Sequence, residues 1–143
     1  MIRIQELRRA TSKSLKEINN LLPQLSETAK PISLKALQAI VKNKDICLVV
    51  SKDGEEIIGM GTLVIMHTVV GVRARVEDVV VDSKQRSRGV GKKISRELIA
   101  LAKKKKVRSI ELSSRPSRTV ANKLYRKLGF KKRDTNVYNL PLQ

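Results

Sequence analysis

The sequence predicts a single mixed α/β domain over residues 1–143, and three observations carry that prediction. Its length suits one core and leaves no room for two. Runs of alternating apolar residues interleave with segments whose apolar residues recur at helical spacing, the pattern of a mixed sheet covered by helices. A strand, a basic loop with two glycines and a helix start follow one another between Val79 and Lys92. An apolar content of 41% suffices for a packed core and exceeds that of a disordered chain. The expected element order is β-α-α-β-β-β-α-β-α-β-β, with no repeat or linker.

Each element has a local reason. Ile2 and Ile4 alternate with polar neighbours and predict a first strand. Thr11 or Ser12 can cap a helix with Leu15, Ile18, Leu22 and Leu25 on one face, which Pro23 is expected to end or bend. Pro31 and Ser33 precede a second helix carrying Leu34, Leu37, Ile40 and Val41. Ile46 to Val50 is a β-branched run, and Asp53-Gly54 is a hairpin turn signal. Strands are expected from about Ile57 to His67 and from about Val72 to Asp82. Val90, Ile94, Leu98, Leu101 and Ala102 recur at helical spacing, and Val107 to Leu112 alternates as a strand. Val120, Leu124 and Leu128 mark a last helix between Pro116 and Gly129. Phe130 onward and Asn136 to Leu140 read as two final strands.

Composition excludes several chemistries. One cysteine, Cys47, allows no internal disulfide, and one histidine, His67, cannot complete a zinc or iron–sulfur site with it. No nucleophile elbow accompanies His67, which argues against a Ser-His-Asp hydrolase. His67 reads as structural or exposed, and Cys47, inside an apolar run, as a small core residue. No apolar run reaches the roughly 18 residues of a membrane span, and no signal-peptide h-region is visible, so a cytoplasmic location is the expectation.

Charge is concentrated. The net charge is +18, and 19 of the 31 Lys and Arg fall between Lys84 and Arg133, against two acids, Glu97 and Glu111. Such a field attracts phosphates of a cofactor, a nucleic acid or an acidic partner. The run Lys103–Lys106 also fits a solvated helix C-terminus, where cations are favoured.

The most informative stretch runs from Val79-Val80-Val81 through Arg86-Ser87-Arg88-Gly89-Val90-Gly91-Lys92. Free N–H groups at a helix start carry partial positive charge, and glycine lets a phosphate approach the backbone. Arg86 stands where a P-loop needs its first glycine, and Lys93 where it needs Ser or Thr, which excludes that motif. Ile94 stands at the third glycine of a dinucleotide fingerprint and excludes that one too. What remains is [RQ]-x-x-G-x-[GA]. A second block, Ala121-Asn122-Lys123-Leu124-Tyr125-Arg126-Lys127-Leu128-Gly129-Phe130, follows about 30 residues later.

In this order and spacing, the two blocks resemble motifs A and B of the GNAT superfamily of acyl-CoA-dependent N-acetyltransferases. The resemblance is detailed from Arg75 to Leu140; the first half matches in element order. It implies an acetyl-CoA co-substrate, no metal, and transfer of the acetyl group to a primary amine by direct attack in a ternary complex. It implies that Val79, Val80 and Val81 line the pantetheine arm, with a main-chain N–H polarising the thioester carbonyl. It implies that the backbone from Arg86 through Ser87, Arg88, Gly89 and Val90 to Gly91, with Lys92, binds the pyrophosphate. Asn122 would contact the cofactor arm, and Tyr125 would protonate the leaving thiolate, as a phenol titrating near 10 can beside a thiol near 8.5. Glu77 is the candidate general base, directly or through water, because alternation would put it on one face with Val79 and Val81 and Asp78 on the other unless a bulge intervenes. The competing role for Glu77 is a structural carboxylate paired with Arg73, Arg75 or Arg115; for Asn122 it is a helix-surface amide, and for Tyr125 a core aromatic.

The amine acceptor is a small molecule or a protein amine of unstated identity. The charge makes polyamines poor candidates. Nonspecific attraction to nucleic acid and a homodimer are further expectations. Two readings without turnover stand beside the enzyme: a basic GNAT-like module associated with nucleic acid or the ribosome, and a cofactor-binding sensor. Few aromatics, 2% of the chain, argue against a stacking platform for single strands.

Overall fold

The computed structural model describes residues 1–143. They divide into two compact units, Met1–Leu112 and Ser113–Gln143.

The first unit contains β1 (Ile2–Glu6), α1 (Ser12–Leu25), α2 (Leu34–Lys42), β2 (Ile46–Asp53), β3 (Glu56–Thr68), β4 (Gly71–Val81), a 3₁₀ turn (Ser83–Gln85), α3 (Val90–Lys104) and β5 (Ile110–Glu111). The sheet order is β1-β2-β3-β4-β5. Neighbours are antiparallel except β4 and β5, which are parallel, so the sheet is mixed as expected.

Local chemistry starts and stops these elements. Thr11 caps α1 reciprocally with Ser14: its Oγ1 accepts from the Ser14 N–H at 3.1 Å, and Ser14 Oγ accepts from the Thr11 N–H at 2.9 Å. Pro23 lies inside the last turn of α1 rather than ending it, and the helix closes two residues later. Ser33 caps α2 by accepting from the Ala36 N–H at 3.1 Å. Asp53 pairs with Glu56 across a tight turn in which Gly54 takes φ 62°.

The core lies on both faces of the sheet. On one face Val90, Ile94, Leu98 and Ala102 of α3 pack with Cys47, Val49, Ile58, Leu63, Ala74 and Val76. On the other, Ile18 and Leu21 of α1 and Leu37 of α2 pack with Leu48, Val50, Ile57, Met60 and Val80. Cys47 is thus a core residue, and His67 is an exposed strand-end residue bonded to Asp45 at 3.0 Å.

Two glycines of β3 set how closely α3 approaches. A Cβ on Gly61 would stand 2.8 Å from Ile94 Cγ2 and 3.0 Å from Leu98 Cδ1, and one on Gly59 would stand 3.1 Å from Ile94 Cδ1. The helix therefore rests on backbone rather than on side chains there.

The second unit contains one helix, α4 (Thr119–Lys127). The two final strands expected from Phe130 onward and over Asn136–Leu140 are absent. Phe130 packs on α4 instead, and beyond it the apolar positions bury nothing: Val137, Tyr138, Leu140 and Leu142 are all exposed, and a strand alternation with no buried face has no drive to pair. The observed order is therefore β-α-α-β-β-β-α-β-α. No helix is long and apolar enough to cross a membrane.

Candidate active site

The site is built at the C-terminal end of β4. Met60 pairs with Val80, but Thr62 pairs with Glu77, so β3 spends one residue (Gly61) where β4 spends two (Asp78 and Val79). This is a β-bulge, and Asp78 takes φ 54° within it. Asp is among the few residues that tolerate a left-handed backbone.

The bulge shifts the strand's parity. Val79 and Val81 turn to the α3 face, while Val80 faces α1 and α2. Glu77 stands opposite in parity to Val76, which packs under α3. The expected shared face of Glu77, Val79 and Val81 is thus corrected: the extra residue at Asp78 puts Glu77 on the α1/α2 side. Its carboxylate accepts from Arg75 Nε at 3.0 Å, two residues back on that same face. Partial desolvation, with the neighbouring Glu77 charge, holds the Asp78 carboxyl above the usual carboxylate range.

β4 also has an unpaired edge. Its parallel partner β5 meets it only at Ala74 and Arg75. From Val76 to Val81 the outer edge has no strand beside it, so its backbone groups can pair with an extended ligand arm.

Beyond β4 the chain is tied down before it enters α3. The Asp82 N–H donates to the Ile58 carbonyl at 2.8 Å, and Asp82 Oδ1 accepts from the Lys84 N–H at 3.1 Å. The Ser83 N–H donates to Gln24 Oε1 of α1 at 2.8 Å. Ser87 and Gly89 then both take left-handed conformations, at φ 69° and 73°. Gly89 is the N-cap of α3, with no side-chain cap, and the first helical bond runs from the Lys93 N–H to the Gly89 carbonyl at 3.1 Å. The N–H groups of the first turn have no intrahelical acceptor. A Cβ on Gly89 would meet no atom within 4 Å, so that side of the cap is open. One on Gly91 would meet only Val81 Cγ2, at 3.9 Å. Left-handed residues before a bare helix start form an anion cradle, and the residues present fit a pyrophosphate there and an extended arm along β4.

Glu77, Val79–Val81 and Arg86–Lys92 all lie in the first unit, with Gly91 beside Val81 and Glu77 on the other face of β4. The side chain of Arg88 is engaged within the protein. Its guanidinium donates to Asp53 Oδ2 at 3.0 Å and to Gln85 Oε1 at 2.5 Å. Asp53 also meets the N-terminal ammonium at 3.3 Å. The Arg88 hydrogen bond, followed by that of the ammonium, holds the Asp53 carboxyl below its ordinary range. Arg88 thus pins the loop to the β2–β3 turn, while Arg86 and Lys92 are exposed.

Asn122 and Tyr125 lie on α4 in the second unit. Asn122 Nδ2 donates to the Arg115 carbonyl at 2.9 Å and to the Arg118 carbonyl at 2.8 Å. Both amide protons are spent on the turn before α4, which leaves Oδ1 to accept. Tyr125 is buried, with its ring edge-on to Phe130 at 5.8 Å. Burial pushes its phenol up, only partly opposed by Arg118, so the proton stays on at neutral pH.

Sequence reasoning missed the bulge register, the unpaired β4 edge and the ties from Asp53 and Gln24. The one signal available was the adjacent acid pair Glu77-Asp78 inside a strand.

Comparison with known proteins agrees with this geometry. The Acetyltransferase (GNAT) family matches residues 12–130. No curated protein matches the sequence. A transcriptional regulator from Bacillus halodurans C-125 is 27% identical, with TM-score 0.81 over 98% of this chain and 99% of its own. A Trypanosoma brucei acetyltransferase is 26% identical, with TM-score 0.82 over 99% of this chain and 100% of its own. An aminoglycoside N-acetyltransferase solved with CoA shares the fold at 18% identity, with TM-score 0.83 over all of this chain and 96% of its own. The matched span holds both the cradle and α4, and the chain belongs to the GNAT family of acetyltransferases.

Proposed function

We propose that residues 1–143 act as one cytoplasmic N-acetyltransferase domain that moves an acetyl group from acetyl-CoA to a primary amine in a ternary complex. The observation that carries this reading is the cradle at Ser87–Gly91, set at the end of a strand whose outer edge is unpaired. Acetyl-CoA supplies the activated acetyl thioester; the chain binds, orients and moves protons. The backbone N–H groups from Arg86 to Gly91 hold the pyrophosphate with Lys92, and the edge of Val79–Val81 holds the arm and polarises the carbonyl. An amine attacks only as its free base, so a proton must leave it. Glu77 takes that proton, directly or through water, with Arg75 orienting one carboxylate oxygen. Asn122 Oδ1 accepts from the cofactor arm, and Tyr125 gives its proton to the departing thiolate.

One observation favours a second base. Asp78 sits at the bulge itself with its carboxyl raised, and a base whose pKa lies nearer the working pH is the more effective one.

The test is acetyl-CoA titration by calorimetry, followed by CoA release on a panel of amines read with a thiol dye. Cys47 is buried and its thiol pushed up by burial, so background is low. Tyr125→Phe is expected to lower kcat about 10–100-fold with acetyl-CoA affinity kept, and Glu77→Gln to lower it with an altered pH profile. If Glu77→Gln leaves kcat intact and Asp78→Asn removes it, the base is Asp78. Absence of acetyl-CoA binding at high micromolar concentration overturns the enzyme reading.

A further inference from the structure

α3 is amphipathic in a second sense. Its buried side carries Val90, Ile94, Leu98 and Ala102, and its opposite side is basic. Lys93, Arg96, Lys103 and Lys104 are all exposed and fall within about 100° of the helix circumference, with Ala100 between them. Glu97, half-buried at the border, is the only acid of the helix. Past the helix end lies a shallow cleft of about 340 Å³ lined by Arg8, Lys42, Lys44 and Lys105, with Glu6 as its one acid. Lys105 belongs to this cleft, since it follows α3 directly and donates to the Lys44 carbonyl at 3.2 Å. This cleft lies at the start of β2 and the end of α3, the opposite end of the helix from the cradle.

We propose that this face of α3 and the adjoining cleft bind the sugar–phosphate backbone of a double-stranded nucleic acid, independently of the acetyl-transfer reading. Charge complementarity chooses the partner. A helix of this length runs about 22 Å at 1.5 Å per residue, and a duplex carries one negative charge per about 1.7 Å of axis. A helix-long row of cations on flexible stems can therefore reach several closely spaced phosphates of one duplex at once. Single strands are disfavoured because α3 holds no aromatic residue on which bases could stack. A lipid surface is disfavoured because the exposed face offers no large apolar side chain to enter the acyl boundary. Lysine and arginine on a helix packed flat against a sheet reach phosphates, not base edges, so binding is independent of sequence.

The test measures anisotropy of labelled duplexes of equal length, one RNA and one DNA, across a salt series. The variant Arg96→Gln/Lys103→Gln/Lys104→Gln is compared with a control, Lys16→Gln/Lys30→Gln/Lys35→Gln. The control removes the same number of exposed charges from the α1/α2 side of the sheet. The α3 variant is expected to bind about tenfold or more weakly, with a log K against log salt slope shallower by about 2.7, while the control keeps the wild-type slope. The duplex that binds more tightly at physiological salt identifies the source. Equal losses in the two variants overturn the proposal, because attraction would then follow net charge alone. Tighter binding to phosphatidylserine vesicles or polyglutamate than to either duplex overturns it in favour of a membrane or an acidic protein.

Discussion

At the N-terminal end of α3 positive potential comes from backbone, and at the C-terminal end from lysine side chains. The first end relies on geometry: left-handed Ser87 and Gly89 turn amide groups toward an open cap, and the helix dipole adds to them. The second has no such frame. Lys103, Lys104, Lys105 and Lys106 are exposed charges on flexible stems, favoured there because the helix end is partly negative. The contrast teaches that net charge and a binding site are separate properties. A cradle of fixed dipoles selects a compact phosphate group, whereas a row of lysines exchanges partners and responds steeply to salt.

The comparison breaks most sharply at Gly91. A Cβ there meets only Val81 Cγ2 at ordinary contact distance, and an acid in the first helical turn is favourable for the helix itself. Gly91→Asp is therefore expected to keep or raise Tm while placing a carboxylate at the proposed pyrophosphate site. Acetyl-CoA affinity should fall about 100-fold or more by calorimetry, roughly the 3 kcal/mol of a charge set against a charge-assisted contact. Duplex binding on the opposite side of α3 should remain within about twofold. Loss of both together would show that the two ends are not independent.

A smaller effect is expected under the helix, at Gly61. An added methyl must displace Ile94 Cγ2, which a β-branched side chain yields poorly, and Leu98 Cδ1 as well. Gly61→Ala is expected to cost about 1–3 kcal/mol in urea unfolding, as overpacked cores do. Because α3 would lift from β3, acetyl-CoA affinity should weaken with it, while the exposed lysines, which need no fixed backbone frame, keep their duplex affinity. An unchanged unfolding midpoint would mean that α3 does not rest on Gly61 as closely as the structure places it.

What the sequence makes legible follows the same division. The caps Thr11 and Ser33, the Asp53-Gly54 turn and the glycines of the cradle are local chemistry, and each stands where a few neighbouring residues place it. The bulge at Asp78 is not local: it exists only in the register of β4 against β3, over Gly61. Strand alternation read along one chain therefore put Glu77 on the wrong face. Nor could the sequence reveal that Arg88 is held by Asp53, 35 residues away. The final segment failed in the opposite way: Val137 and Leu140 are apolar, but an apolar residue makes a strand only where something covers it.

The smallest effect tests whether the cradle needs side-chain charge at all. Arg88 lies inside the phosphate motif, yet its guanidinium is engaged by Asp53 and Gln85. If backbone does the binding, Arg88→Gln should change acetyl-CoA affinity by less than about threefold, far from the loss expected at Gly91. Its measurable consequence should be in stability and its pH dependence. The folded Asp53 carboxyl lies below its unfolded value, so the pair's contribution is present above the ordinary carboxylate pKa and is lost as pH falls through the folded one. An exposed pair contributes little, so the expected Tm difference between Arg88→Gln and wild type is on the order of 1 °C near neutrality. That difference should close in acid, where both proteins carry a protonated Asp53. A large affinity loss with no pH-dependent Tm difference would instead assign Arg88 to the phosphate, and the N-terminal end of α3 would then resemble the lysine end more than its geometry indicates.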